Sequence, residues 1–288
     1  MGDDDLQLAA RLACYHLVSS VAARGEAAVG ARGLTGRAYR GHVFWDADTF
    51  VLPYLAATHP RAARAMLRYR VRRLAAARAA ARAEGRRGAR FPWESADTGE
   101  DVTPRAARDL SGAVVPIRTG DAEVHIVGEV AWAAAHYVDW TGDERFARGD
   151  GCRLLVETAR YWASRARFDD DGRAHVYGVI GPDEYHEPVD DNAFTNVLAR
   201  WNLRRAAAAV RDEAARCRGA AGDVDPAEAR HWLEIADALV DGYDPATGVY
   251  EQFAGFFGLE PIRIADLASR PVVADLLLGR ERVRTRRS

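Results

Sequence analysis

The stretch EVHIVGEVAWAAAHYVDWTGDERFARGDGCRLLVETARYWASR, residues 123–165, decides the fold. Apolar residues recur at three- and four-residue spacing from Glu123 to Trp140 and again from Phe146 to Arg165, the period of a helix with a buried stripe. Only the short turn Thr141-Gly142-Asp143-Glu144 separates the two. The next connection, Phe168 to Asp191, is long and rich in Gly, Pro and acids. The alternation repeats outward. Helices are predicted over Leu6–Ala23, Phe44–Thr58, Pro60 to Glu84, Asn192 to Cys217 and Pro226 to Val240, with Pro60 and Pro226 as first-turn residues. Long decorated segments run over Gly25–His42, Gly85–Asp121 and Asp241–Arg263. Long loops without structure of their own are usually functional. The pattern predicts an all-α ring of helix pairs, one end tidy and the other holding a site. Asp169-Asp170-Asp171-Gly172 reads as a hairpin turn, with His175–Ile180 as the second strand. With no sequence repeat and no Gly/Ser linker, residues 1–288 are expected to form a single domain. The polar, Ala-rich stretch Asp212–Ala229 reads as a surface excursion.

Composition narrows the function classes. The 288 residues are 48% hydrophobic, enough for a substantial core, and the formal net charge is -2. Such a balance offers no field for nucleic acid or an anionic membrane. All 40 basic residues are Arg. The acidic start Met1-Gly2-Asp3-Asp4-Asp5 has no signal-peptide character, and no apolar run approaches the roughly 18 residues of a membrane span. A cytoplasmic location is the expectation. Cys14, Cys152 and Cys217 are odd in number and widely spaced, which reads as buried free thiols rather than a disulfide or a metal site.

Three segments carry chemistry. In Gly181-Pro182-Asp183-Glu184-Tyr185-His186-Glu187 and on to Asp190-Asp191-Asn192, carboxylates crowd a Gly-Pro turn ahead of a helix. Neighbouring negative charges raise one another's pKa, as a general acid requires near neutral pH. Asp190 or Asp191 reads equally as the N-cap of the helix that follows. In Arg37–Asp46, Trp45 stands beside Asp46 at a loop-to-helix junction; in Phe91–Ala96, Trp93 stands beside Glu94. An indole stacks on the apolar face of a sugar while a carboxylate accepts hydrogen bonds from its hydroxyls. The bland alternative is a buried Trp with a capping acid. Two such pairs in separate loops, with an acidic turn in a third, converge on a carbohydrate site. Trp162 and Trp232, at apolar helical spacing, read as core. His125 and Glu129, four apart, form a conceivable metal pair but lack a third ligand, so they read as structural or site-lining and no metal is expected. Asp169–Asp171 sits in a turn, unlike a helical diphosphate-metal motif, and no Gly-rich phosphate loop with a following Lys is present.

Gly33-Leu34-Thr35-Gly36 through Tyr39–Asp46, Pro92–Ala96 with Thr98-Gly99-Glu100, and Gly181–His186 with Asp191–Asn196 together resemble glycoside hydrolase family 65. Val124-His125-Ile126 and Glu157–Trp162 also fit. That family includes maltose, trehalose and kojibiose phosphorylases and some trehalose hydrolases. The resemblance implies an (α/α)6 barrel, with Glu184 protonating the glycosidic oxygen. It implies substrate binding by Trp45 and Asp46, with Trp93, Glu94, His42, Tyr185 and His186 lining the same cleft. It implies inverting phosphorolysis of an α-glucosyl disaccharide of the trehalose, maltose or kojibiose type to β-glucose 1-phosphate and a free sugar. The partners implied are the disaccharide and inorganic phosphate, the latter as co-substrate with no cofactor; a homodimer is common in the family. Two alternatives stay open: phosphate-independent hydrolysis, and a non-catalytic carbohydrate-binding fragment. The family's later Lys-Gln-Ala-Asp and His-Gly-Ser-Ser segments are not found in these residues. The expected barrel is therefore incomplete at its C-terminus, without flanking β-sandwich domains, and would be completed by a missing C-terminal segment.

Overall fold

The computed structural model describes residues 2–34, 38–109, 111–212, 217, 224–263 and 283–286. Helices dominate: α1 (Asp4–Ser19), α2 (Leu52–Thr58), α3 (Pro60–Arg72), α4 (Leu74–Ala83), the short α5 (Thr119–Ala122), α6 (Ile126–Thr141), the single turn α7 (Glu144–Phe146), α8 (Cys152–Arg165), α9 (Ala193–Asp212) and α10 (Pro226–Ala238). Four two-stranded ribbons sit in the connections. β1 (Ala106–Arg108) pairs antiparallel with β2 (Val114–Pro116), and β3 (Arg167–Phe168) with β4 (Ala174–His175). β5 (Tyr243–Asp244) pairs antiparallel with β6 (Val249–Tyr250), and β7 (Glu260–Arg263) runs parallel to β8 (Val283–Arg286). The β3–β4 hairpin turns at Asp169–Gly172, where Asp169 Oδ1 accepts from the backbone N–H of Asp171 and Arg173, at 3.0 and 2.8 Å.

Helix α6 is the pivot. It packs against α2, α3, α8 and α9, and ten of its sixteen residues are buried. Val127, Ala131 and Ala135 join one buried cluster with α8, α9 and α10, whereas Ile126, Val130, Ala134 and Tyr137 join a second with α2, α3 and α4. The small residues of α6 let α9 approach closely: a Cβ on Gly128 would lie 2.5 Å from Leu198 Cγ. Trp162 and Trp232 lie fully inside the first cluster, as their spacing predicts.

Several boundaries differ from the sequence reading. The helix predicted from Pro60 to Glu84 breaks at Arg73, whose side chain leaves the helix to donate to Ala96 O at 2.8 Å and Glu26 O at 2.9 Å, its guanidinium 3.7 Å over the Tyr69 ring. The segments 44–58 and 146–165 each begin with a π-helical turn, Ala47–Val51 and Ala147–Gly151, before settling into α2 and α8. The second strand of the hairpin covers Ala174–His175 only. The expectation of free thiols at Cys152 and Cys217 is corrected: the two form a disulfide across 65 residues of sequence, with Cα atoms 5.8 Å apart, while Cys14 is free and exposed. Spacing gave no hint of this, because only the folding of α9 against α8 brings the two together. Most of the stretch 212–229, read as a surface excursion, lies outside the described residues. No helix among the described residues is long and apolar enough to cross a membrane.

Candidate active site

The two Trp–acid pairs and the segment leading into α6 come together. Val43 and Ser95 form an antiparallel bridge, each donating its N–H to the other's carbonyl at 2.9 and 3.0 Å, so the loops of Trp45 and Trp93 run side by side. His42 Nδ1 hydrogen-bonds Glu94 Oε2 at 2.7 Å, joining two of the predicted site residues directly. Both indoles then meet one imidazole in T-shaped contact. The Trp45 and Trp93 ring centroids lie 5.1 and 5.5 Å from that of His125, and Phe194, in the first turn of α9, closes a third side at 5.4 Å. Edge-to-face packing of this kind suits the aromatic quadrupole. Trp45 remains half-buried and Asp46 exposed; Asp46 makes no capping hydrogen bond to the turn that follows it, which removes the helix-cap alternative for that residue.

Beneath the rings lies a stack of buried charge. His125 has no exposed surface; its Nδ1 meets Glu129 Oε1 at 2.8 Å and its Nε2 meets Glu123 Oε1 at 3.2 Å. Buried ionisable groups persist only when paired. Burial pushes Glu123 up to about 8 against the pull of His125, with the charges of Glu184 and Glu129 adding to the rise. Burial pulls the other way on His125, but Glu129 and Glu123 outweigh it and carry the imidazole up to about 9. Deeper still, Asp48 and Arg70 form a buried ion pair at 2.5 Å, and Arg70 Nη2 also donates to Phe44 O at 3.2 Å, fixing the backbone just before Trp45.

The acidic turn is fastened on two sides. Ile180 N donates to Ala122 O at 3.0 Å, tying the turn to the segment that carries Glu123. On the other side a strap formed by residues 251–256 holds it: Gln252 Nε2 donates to Asp183 Oδ2 at 2.8 Å, Ala193 N to Gln252 O at 2.9 Å and Ala254 N to Asp190 O at 3.0 Å. Asp183 Oδ1 accepts from Tyr185 N at 3.1 Å, so Asp183 shapes the turn, and Glu184 next to it is exposed. Tyr185 is half-buried with its ring 4.9 Å from that of His186; His186 is buried, packed against Phe253 at 5.0 Å and Phe256 at 6.1 Å.

The capping expectation for Asp190 or Asp191 is corrected. Asn192 caps α9, its Oδ1 accepting from Thr195 N at 3.0 Å. Asp190 accepts from Gly178 N, and Asp191, at φ 49°, is turned to His175 Nδ1 at 2.6 Å and Val176 N at 3.0 Å. Sequence reasoning missed Glu123, Phe194 and the Gln252–Phe253 strap, and weighed His125 only with Glu129. The spacing Glu123-x-His125-x3-Glu129 is the one signal that could have suggested an imidazole braced at both nitrogens; nothing local marks the strap.

The sequence profile of the glycosyl hydrolase family 65 central catalytic domain matches residues 11–288. The chain belongs to glycosyl hydrolase family 65. Kojibiose phosphorylase of Caldanaerobacter subterraneus subsp. tengcongensis is 39% identical over 264 residues, which cover 89% of this chain and 34% of that protein. Trehalose 6-phosphate phosphorylase of Lactococcus lactis subsp. lactis is 38% identical over 212 residues, 69% of this chain and 27% of that protein. A solved structure described as "Putative kojibiose phosphorylase from human microbiome" superposes with a TM-score of 0.81 at 23% identity, covering 93% of this chain and 39% of that one. That likeness shows the fold, and the helix-rich family 65 chain fits an (α/α)6-barrel-like architecture. The chain spans about a quarter to a third of the length of these curated relatives.

Proposed function

We propose that this family 65 chain carries the sugar-binding walls and the proton donor of an inverting α-glucoside phosphorylase. The observation that carries the reading is the junction of the acidic turn with the His125 clamp: Ile180 N donates to Ala122 O at 3.0 Å beside Glu123, Glu123 holds His125, and Trp45 and Trp93 pack on His125. Glu184 in its acid form transfers its proton to the glycosidic oxygen of an α-glucosyl disaccharide as the bond from that oxygen to the anomeric carbon breaks. An oxygen of inorganic phosphate attacks the same carbon from the opposite face, giving β-glucose 1-phosphate and a free sugar. Phosphate is already anionic, so this route needs no carboxylate to activate water. Trp45 and Trp93 stack on the glucosyl ring; Asp46 and Glu94, the latter held by His42, accept from its hydroxyls; Tyr185 and His186 support the turn that bears the donor.

The names of the relatives support phosphorolysis of a glucosyl disaccharide and differ in the disaccharide, so the class is the level at which the substrate is assigned. Incubation with kojibiose, maltose or trehalose plus phosphate is expected to release glucose 1-phosphate, and Glu184→Gln is expected to abolish release with the circular-dichroism spectrum unchanged. Undiminished turnover by Glu184→Gln overturns the donor assignment. Glucose release that proceeds without phosphate selects hydrolysis, and calorimetric sugar binding without turnover selects a binding fragment.

A further inference from the structure

Three aromatic rings that come from separate parts of the chain share one neighbour. Trp45 stands before the turn leading to α2, Trp93 in the loop after α4, and Phe194 in α9, and all three meet the ring of His125 between 5.1 and 5.5 Å. His125 itself is held at both nitrogens, by Glu129 within α6 and by Glu123 just before it. We infer that His125, clamped between Glu123 and Glu129, is a positioning residue that sets the spacing and tilt of Trp45 and Trp93 and thereby the affinity of this cleft for a glucosyl ring. The inference rests on the sugar-binding role proposed above for the two indoles.

The physical reason lies in the two ring nitrogens. An imidazolium donates from both, so each carboxyl group has an N–H to receive; a neutral imidazole keeps a single N–H, and its bare nitrogen then faces an oxygen lone pair. The ring is fully buried, and water cannot replace the lost bond. Rotation is the available relief, and it moves the three rings packed against it. The charged groups that bear on the clamp are few. Glu129 and Glu123 touch it; Asp48, paired with Arg70, acts on Glu129 from below; Glu184 acts on Glu123 from the donor turn. The His42–Glu94 pair flanks Trp93, and on the α9 side the neighbour is the uncharged ring of Phe194. The proton on His125 is held up to about 9, after Glu123 has passed its own transition at about 8.

The test uses the whole chain and needs no turnover. Indole N–H signals of Trp45 and Trp93, assigned by their loss in Trp45→Phe and Trp93→Phe, are followed by NMR against pH beside the imidazole signals of His125. Both indoles are expected to shift with the His125 transition, and glucose affinity measured by calorimetry is expected to fall about tenfold across it, one hydrogen bond's worth of binding. Indoles that stay still while His125 titrates overturn the inference. His125→Phe keeps a ring for the three neighbours but removes the clamp; it is expected to abolish the pH dependence of glucose binding, and a retained dependence overturns the inference. If that variant does not fold, the titration of the unaltered chain decides alone. Failure of the underlying reading has a separate signature: indoles that follow His125 but do not respond to glucose leave the clamp standing and remove the sugar site. Indoles that respond to glucose but ignore His125 do the reverse.

Discussion

Gly181 shows how closely the acidic turn is fitted. A Cβ at this position would lie 2.2 Å from Asn192 Nδ2, so the side chain that caps α9 occupies the space any other residue would need. Gly181→Ala is expected to push the turn off Asn192 and lower glucose 1-phosphate release at least about tenfold, a displacement of the order that costs enzymes this much, while far-ultraviolet circular dichroism stays constant. Unchanged release would separate the turn from the chemistry. That the loops of Trp45 and Trp93 converge was legible in the sequence, because each repeats a Trp beside an acid in a long polar segment. Glu184 is proposed as the proton donor from the density of acids around a Gly-Pro bend. The partnership of His125 with Glu123 was not legible, because its meaning depends on rings from three distant segments. Asp190 and Asp191 were misread as caps because cap preference alone does not distinguish adjacent Asp and Asn residues; the left-handed backbone at Asp191, φ 49°, hands the role to Asn192.

Among the elements, α9 is capped by a side chain that also holds another segment. Asn192 satisfies Thr195 N at its first turn and donates from Nδ2 to Gln252 O at 3.3 Å, so it serves as cap and as strap anchor. Asn192→Ala is expected to lower stability by about 1–2 kcal/mol, the usual worth of an N-cap, and so to lower Tm by a few degrees in differential scanning calorimetry. A Tm unmoved within error would mean that the helix start is held by other bonds. Helix positions were read from periodicity to within a few residues for α6 and α10 and at the start of α9, whose predicted end lies among residues outside the described ones. The break at Arg73 was not, since Arg is a good helix former and only its distant acceptors, Ala96 O and Glu26 O, draw it aside. The two π-helical turns were equally silent, because an added residue leaves the apolar period intact on either side.

For the molecule as a whole, the buried charge beneath the site makes stability depend on pH in a stated direction. Unfolded His titrates near about 6.5 and folded His125 at about 9. Its contribution is complete below about 6.5 and is lost as pH rises to about 9. Glu123 acts in the same sense, because the folded chain keeps a proton up to about 8 that the unfolded chain releases near about 4.3. Tm is therefore expected to fall between roughly pH 6.5 and 9, and His125→Phe to flatten part of that decline. A Tm that rises over this interval would contradict the burial of these groups. The helix-rich, barrel-like architecture was legible at this scale, whereas the division of the core into two clusters sharing α6 was not, because periodicity shows how much of a helix is apolar but not which partners divide it.

The strap from Gln252 to Phe256 has a consequence for biosynthesis. Ribosomes deliver Glu184 some seventy residues ahead of the segment whose Gln252 grips Asp183 and whose backbone bonds Asp190 and Ala193. The acidic bend thus emerges with its tie to Ala122 available but without the strap, and gains its second fastening once that later piece has docked. The shape of the Glu184 turn therefore depends on a piece of chain made well after the turn itself.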